Sequence, residues 1–173
     1  EHGHCELPLA VAFRAVAVAA GVPIVHVADA LPARASRNGV PGLDWPAVRP
    51  LDLARAPDEL LPWLDSVSRK PDAIFHMGAI SSTVERNVDL IMRNNYLLSL
   101  RLWERATRHQ IPFIYASSAA TYGAGERGFD DSNDPDALQR LKPLNPYGWS
   151  KLLFDRAAVQ MAGAGIAPPQ WAG

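Results

Sequence analysis

Two apolar runs constrain this chain more than any other feature. "PDAIFHMGA" (residues 71–79) and "IPFIYASS" (residues 111–118) each set a short stretch of apolar residues between a proline and a group of small residues. Runs of this kind, without polar alternation, suit strands covered on both faces of a parallel sheet. Between them Val88, Ile91, Leu98, Leu102 and Ala106 share one stripe of a helix predicted from about Asn87 to His109. Asn95 falls on the same stripe, and a buried amide needs partners, so it either ties the helix to a neighbouring backbone or reaches toward a site. Three further elements flank this unit. "APDELLPWLDSV" reads as an acidic-started helix with Pro62 near its first turns, and "PYGWSKLLFDRAAVQMAG" as a helix with Pro146 in its first turn, reached from the second strand through a Pro-rich loop ending at Asn145. The closing "APPQWAG" reads as the opening of a third strand. This order predicts an α/β fold, a doubly wound parallel sheet of Rossmann-like kind, incomplete at both ends. Ligands of such sheets bind beyond the carboxyl ends of the strands, which brings "HMGAISST" and "SSAATYG" to one edge.

Composition narrows the class. With 173 residues, 48% of them hydrophobic, the chain can bury one sizeable core. A net charge of −1 with scattered Lys and Arg gives no basic stripe, so no nucleic-acid partner is expected. Cys5 is the only cysteine; no internal disulfide can form, and a reducing cytoplasmic setting is expected. His2, His4 and Cys5 are close together, but no second ligand cluster follows, so no metal is expected. The apolar run "LPLAVAFRAVAVAAGVPIVHVA" is broken by Arg14, Gly21 and Pro23, which argues against a membrane span. It has no basic flank, and Glu1 in place of Met suggests a fragment of a longer chain.

Chemistry is suggested by three side chains. Tyr147 and Lys151 lie four residues apart at a helix start, and therefore on one face. An ammonium beside a phenol favours the phenolate, which can take a proton from a substrate alcohol. A hydroxyl from the strand end, assigned here to Ser118, would hydrogen-bond the same substrate oxygen, while Ser117 mainly turns the chain. Each feature has a plainer reading: the serines end a strand, and Tyr147 packs on the lysine stem.

Together "FHMGA", "NNY", "YASSAATYG" and "PLNPYGWSKLLFD" resemble the extended short-chain dehydrogenases/reductases, the NAD-dependent epimerase/dehydratase family, and most of all the branch that epimerises an ADP-linked heptose. The likeness runs from about residue 50 to 173. It implies that Tyr147 is the general base and acid, that Lys151 lowers its pKa and holds the nicotinamide ribose, and that Ser118 positions the substrate. It also implies that His76, Met77, Gly78, Ala79, Ile80 and Ser81 lie along the dinucleotide; tight helix–sheet packing equally explains Gly78 and Ala79. Asn94 and Asn95 match an asparagine region near the cofactor, the stripe favouring Asn95 as the buried one and the motif allowing Asn94. Ser82 and Thr83 would face the substrate or cap a helix. The implied reaction oxidises C6 of the ADP-sugar transiently with bound NADP, NAD being the alternative, lets the ketone present its other face and returns the hydride. The setting it implies is lipopolysaccharide core precursor synthesis, with a homo-oligomer paired through the long helix and the helix at Pro146.

The departures from that pattern are equally specific. No G-x-x-G-x-x-G turn occurs: Gly39 and Gly42 give one half, and Trp45 stands where a third glycine belongs. "GVPIVHVADAL" reads as a strand ending in Asp29, where a ribose-binding acid would sit. Residues 1–45 are therefore set apart as a region expected to be out of register with the true protein, and residues 46–173 as a partial dinucleotide-binding domain. The family's C-terminal substrate domain, with a second acid/base residue, is expected to lie outside this stretch, which alone should not turn over. Two other readings stand beside this one. The first is another sugar-nucleotide epimerase or a dehydratase, although Ala119 and Ala120 stand where dehydratases carry acids; the second is an inactive dinucleotide-binding fragment.

Overall fold

The computed structural model describes residues 56–66 and 71–173. His2, His4, Cys5, Asp29, Gly39, Gly42 and Trp45 all lie outside the described residues. Three short strands form one parallel sheet in the order β1 (Ile74–His76), β2 (Phe113–Tyr115) and β3 (Trp171–Ala172). Ile74 pairs with Phe113, His76 with Tyr115, and Phe113 with Trp171. The third strand expected at the end of the chain is thus present. Ile74, His76, Phe113 and Tyr115 are buried, whereas Phe75 and Ile114, which alternate with them, are half-buried. The buried set faces the helices, as the two-residue period of a strand requires.

The helices are α1 (Ala56–Ser66), α2 (Val88–Ile91), α3 (Leu98–His109), α4 (Pro135–Arg140) and α5 (Pro146–Gly163). Between α2 and α3 the chain widens into a π turn over Met92–Leu97, so the long helix predicted from Asn87 is continuous but not uniform. Asn87 caps it, its side chain accepting from the Leu90 amide at 3.0 Å. That assigns the cap to Asn87 and not to Ser82 or Thr83. Asn94 and Asn95 both fall within the π turn and both are buried, so the sequence question of which one is buried has the answer that both are. Val88, counted on the apolar stripe, is instead 51% exposed. It lines a shallow apolar groove with Met92, Leu144, Trp149 and Leu153. The loop before α5 holds structure that the sequence reading passed over. A 3₁₀ turn spans Ala119–Tyr122, and α4 is capped by Asp134, whose carboxylate accepts from the Asp136 amide at 2.7 Å.

Core packing centres on Trp103 of α3. Its ring meets Phe113, Phe154 and Trp171 edge-on at 5.9, 6.1 and 5.2 Å, and its Nε1 donates to the Ile166 carbonyl at 3.0 Å. Edge-to-face geometry adds to the burial of these rings, and the indole donor is satisfied where it could not reach water. Leu60 and Leu64 of α1 close the same cluster, and Arg93–Asp58 and Arg105–Asp65 ion pairs join α1 to the long helix at its rim. Truncation of a ring with three aromatic neighbours should leave a cavity. We expect Trp103→Ala to cost roughly 3–5 kcal/mol in urea denaturation, against a change within about 0.5 kcal/mol for Leu97→Ala on the exposed side.

Candidate active site

The start of α5 is built by its cap. Asn145 accepts from the Gly148 amide at 2.8 Å, and Pro146 sits in the first turn with its ring already at a helical φ. Tyr147 follows, half-buried, and Lys151 lies one turn further and is buried, only 6% exposed. The lysine Nζ donates to the carbonyl of Ala116, the first residue after β2, at 2.7 Å. A charged amine so deeply placed needs such an acceptor, since unpaired burial of an ion is costly.

Two residues past Ala116, Ser118 has extended backbone and caps the 3₁₀ turn, its Oγ accepting from the Ala120 amide at 3.2 Å. The bond it makes is as an acceptor, so the hydroxyl hydrogen remains available to an oxygen outside the protein. The 3₁₀ turn lies hard against α5. A Cβ on Gly148 would come within 2.6 Å of the Ala120 carbonyl oxygen and 2.9 Å of Pro143 Cβ, so the residue next to Tyr147 has to be glycine. By this contact and the lysine bond, the start of α5 is brought against the segment 116–120 that follows β2.

The carboxyl end of β1 lies beside it. Gly78 and Ala79 are buried, Met77 and Ile80 half-buried, and Ser81, Ser82 and Thr83 exposed. Asn95 holds this segment by both backbone groups of Ile80, accepting from its amide at 2.8 Å and donating to its carbonyl at 3.1 Å. Its Nδ2 also donates to Ser150 Oγ at 3.0 Å, and that hydroxyl donates to the Tyr147 carbonyl at 2.7 Å. Both roles that the sequence left open to Asn95, backbone tie and site neighbour, thus meet in one side chain. His76 is turned into the core: its Nε2 bonds Ser99 Oγ at 2.8 Å, and Ser99 in turn donates to the Asn95 carbonyl. Burial, and then the Lys151 ammonium, lower its pKa to about 3, which keeps the imidazole neutral. His76 Nδ1 and Asn94 Oδ1 are buried acceptors without a protein partner.

The sequence reading gave Ser117 too small a part and passed over Asp155, Ser99 and Ser150. Ser117 does more than turn the chain, because its hydroxyl donates to Asp155 Oδ2 at 2.6 Å while Tyr115 donates to Oδ1 at 2.9 Å. Burial raises the Asp155 pKa against the lowering effect of those two bonds and of Lys151. The Tyr115 phenol is pushed up by burial and by that carboxylate. A signal for Asp155 was available: it lies four residues past Lys151 and eight past Tyr147, on the face they share.

A parallel α/β sheet with small residues and hydroxyls at its strand ends, faced by a helix that carries Tyr147 and Lys151, belongs to the Rossmann-like class. The sequence model of the NAD dependent epimerase/dehydratase family matches residues 17–167, and the chain belongs to that family. The match begins inside the stretch that the sequence reading set apart. The chain is 46% identical over 102 residues to the ADP-L-glycero-D-manno-heptose-6-epimerase of Fusobacterium nucleatum, covering 59% of this chain and 30% of that relative. In structure it resembles the Helicobacter pylori ADP-L-glycero-D-manno-heptose-6-epimerase with a TM-score of 0.53 and 32% identity, over 65% of this chain and 33% of the other. It resembles MoeE5, solved with UDP-glucuronic acid and NAD, with a TM-score of 0.51 and 25% identity, over 75% and 41%. The chain thus spans less than a third of the length of the curated relative it matches.

The depressed His76 value has a consequence for stability. An unfolded histidine takes a proton near 6.5 and the folded one only near 3, so its contribution is complete above about 6.5 and is lost as pH falls through that window. The loss should amount to roughly a few kcal/mol. Asp155, shifted upward, contributes in the opposite sense, gaining as pH falls through its raised value. Urea denaturation of the wild type and of His76→Gln between neutral pH and mild acid should show a smaller decline in the variant; parallel curves would contradict the assignment.

Proposed function

We propose that this chain is the cofactor-binding and proton-transferring part of an epimerase that inverts C6 of an ADP-linked heptose with NADP as cofactor. The observation that carries this is the buried Lys151, which lies one helical turn from Tyr147 and is bonded at the end of β2 to Ala116, two residues before Ser118. The likeness to two heptose epimerases supports the choice of substrate, and the family supports a nicotinamide dinucleotide.

The residues present fit such a group. Gly78 and Ala79 allow backbone approach at the carboxyl end of β1, Asn95 fixes the following loop, and Asn94 Oδ1 is a buried acceptor still without a donor. Met77, Gly78, Ala79, Ile80, Ser81, Asn94, Asn95 and Lys151 would hold it, and Ser82 and Thr83 would meet the sugar; His76, expected from the sequence to lie along the dinucleotide, is instead turned into the core and bonded to Ser99. When bound, the nicotinamide supplies a reversible hydride acceptor, so that no net redox change results. The chain's own part is acid–base work. Tyr147 takes the proton of the substrate hydroxyl and later returns it, the Lys151 ammonium stabilises the phenolate in between, and Ser118 donates to the same substrate oxygen and fixes its position. Residues 46–173 form the dinucleotide-binding part on this reading, and the rest of the sugar site is supplied by sequence beyond it. A second reading, a different sugar-nucleotide enzyme of the family, gains support from the likeness to MoeE5.

The test is made on the protein in its full natural length with an ADP-heptose. Tyr147→Phe should lower kcat by about 10²-fold or more, with binding of NADP, followed by quenching of tryptophan fluorescence, unchanged. Full activity of that variant would end the proposal. Turnover of a UDP-sugar in place of the ADP-heptose would favour the second reading.

A further inference from the structure

Asp155 has no part in the chemistry above, yet it is the residue on which the geometry of that chemistry converges. It is a buried carboxylate, 9% exposed, and both of its oxygens accept hydroxyl hydrogens from the end of β2: Oδ1 from Tyr115 at 2.9 Å and Oδ2 from Ser117 at 2.6 Å. The residue between those two donors is Ala116, whose carbonyl receives the Lys151 ammonium at 2.7 Å. Three successive residues are therefore fastened to one face of α5, Tyr115 and Ser117 by the Asp155 carboxyl group and Ala116 by the Lys151 ammonium. A hydrogen bond from an ammonium is shorter and stronger than a neutral one. The next residue is Ser118, and the next turn of α5 toward its N-terminus carries Tyr147.

Below this point β2 and α5 are joined by ring packing, Phe154 meeting Tyr115 edge-on at 4.7 Å and Phe113 at 6.4 Å, but that packing stops at Tyr115. β2 lasts only from Phe113 to Tyr115, so the ladder holds Tyr115 through its pairing with His76 and then ends, apart from the Ala116 amide bonded to the His76 carbonyl at 3.0 Å. Past that point the path of the chain to Ser118 is set by side chains of α5. On the far side, the 3₁₀ turn is pressed on Gly148. Ser118 is thus held between two fixed points, the Asp155 pair and the Gly148 contact.

We infer that Asp155 is a positioning residue, a clamp at Tyr115 and Ser117 that sets the place of Ser118 relative to Tyr147 and Lys151. This rests on the proposed function for its kinetic consequence, though not for the clamp itself. A reacting oxygen held between a serine and a tyrosine is sensitive to their spacing, since a misplacement of about 1 Å can cost about 10²-fold in rate.

Three variants test it. Asp155→Ala removes both acceptors. In the full-length protein it should lower kcat by at least about tenfold, with KM for the sugar nucleotide and binding of NADP within about twofold. Asp155→Asn keeps an acceptor for Tyr115 and offers its amide to the Ser117 oxygen, so it should restore most of kcat. Ser117→Ala should slow the wild type but have no further effect in the Asp155→Ala background, because its bond is already gone. In this chain alone, hydrogen exchange at the amides of residues 117–121 should quicken in Asp155→Ala and not in Asp155→Asn. Unchanged kcat in a folded Asp155→Ala, or a defect in Asp155→Asn equal to that of Asp155→Ala, would overturn the clamp. Unchanged exchange would overturn it independently of any turnover. Quickened exchange in a full-length protein inert toward ADP-heptose would support the clamp and tell against the proposed function instead.

Discussion

A single hydrogen bond, from the Lys151 ammonium to the Ala116 carbonyl, organises the candidate site. It joins a long helix to the tip of a three-residue strand, in a buried place where neither partner could be left alone without a substantial penalty. The energetic asymmetry matters more than the strength of the bond itself. Losing the ammonium leaves the Ala116 carbonyl without its charged donor at the strand tip, which disfavours a slip of the chain by a residue at this point. The ammonium also acts on its neighbours. His76 is kept neutral by burial first and by the ammonium second, and for Asp155, one turn onward, the ammonium works against the burial that raises its pKa.

The asparagine pair forms the second anchor, and it sits in an irregularity. Asn94 and Asn95 are buried within the π turn Met92–Leu97, and Asn95 holds the loop after β1 by both backbone groups of Ile80. π turns recur at functional sites because the helix exchanges one turn of regular bonding for an extra inward side chain. Ser99 and Ser150 complete the network, one linking Asn95 to His76 and the other linking it to Tyr147. The two strand ends, which the topology alone brings side by side, are thereby given a fixed relation to the helices that face them.

Much of this was legible in the sequence, and the unread part has identifiable causes. The apolar runs and the stripe of Leu98, Leu102 and Ala106 report burial directly, so the strands and the long helix could be read. Pro146 and Asn145 fixed the start of α5 to the residue. The π turn left no trace, because a period counted at 3.6 residues passes over one inserted residue, and Asn94 and Asn95 prove to be buried together. α4 had a local signal in Asp134 followed by Pro135, obscured by the prolines around it. Asp155 was overlooked for another reason. A carboxylate on a helix is exposed in most sequences, and only the coordinates show that Tyr115 and Ser117 meet it from the neighbouring strand end.

Gly148 has a further implication. Since the position beside Tyr147 tolerates no atom beyond Cα, the helix start and the 3₁₀ turn already rest on one another, main chain on main chain. Any other amino acid there can only prise the two apart. The dimension across this corner is consequently a minimum, from which mutation can depart in one direction alone.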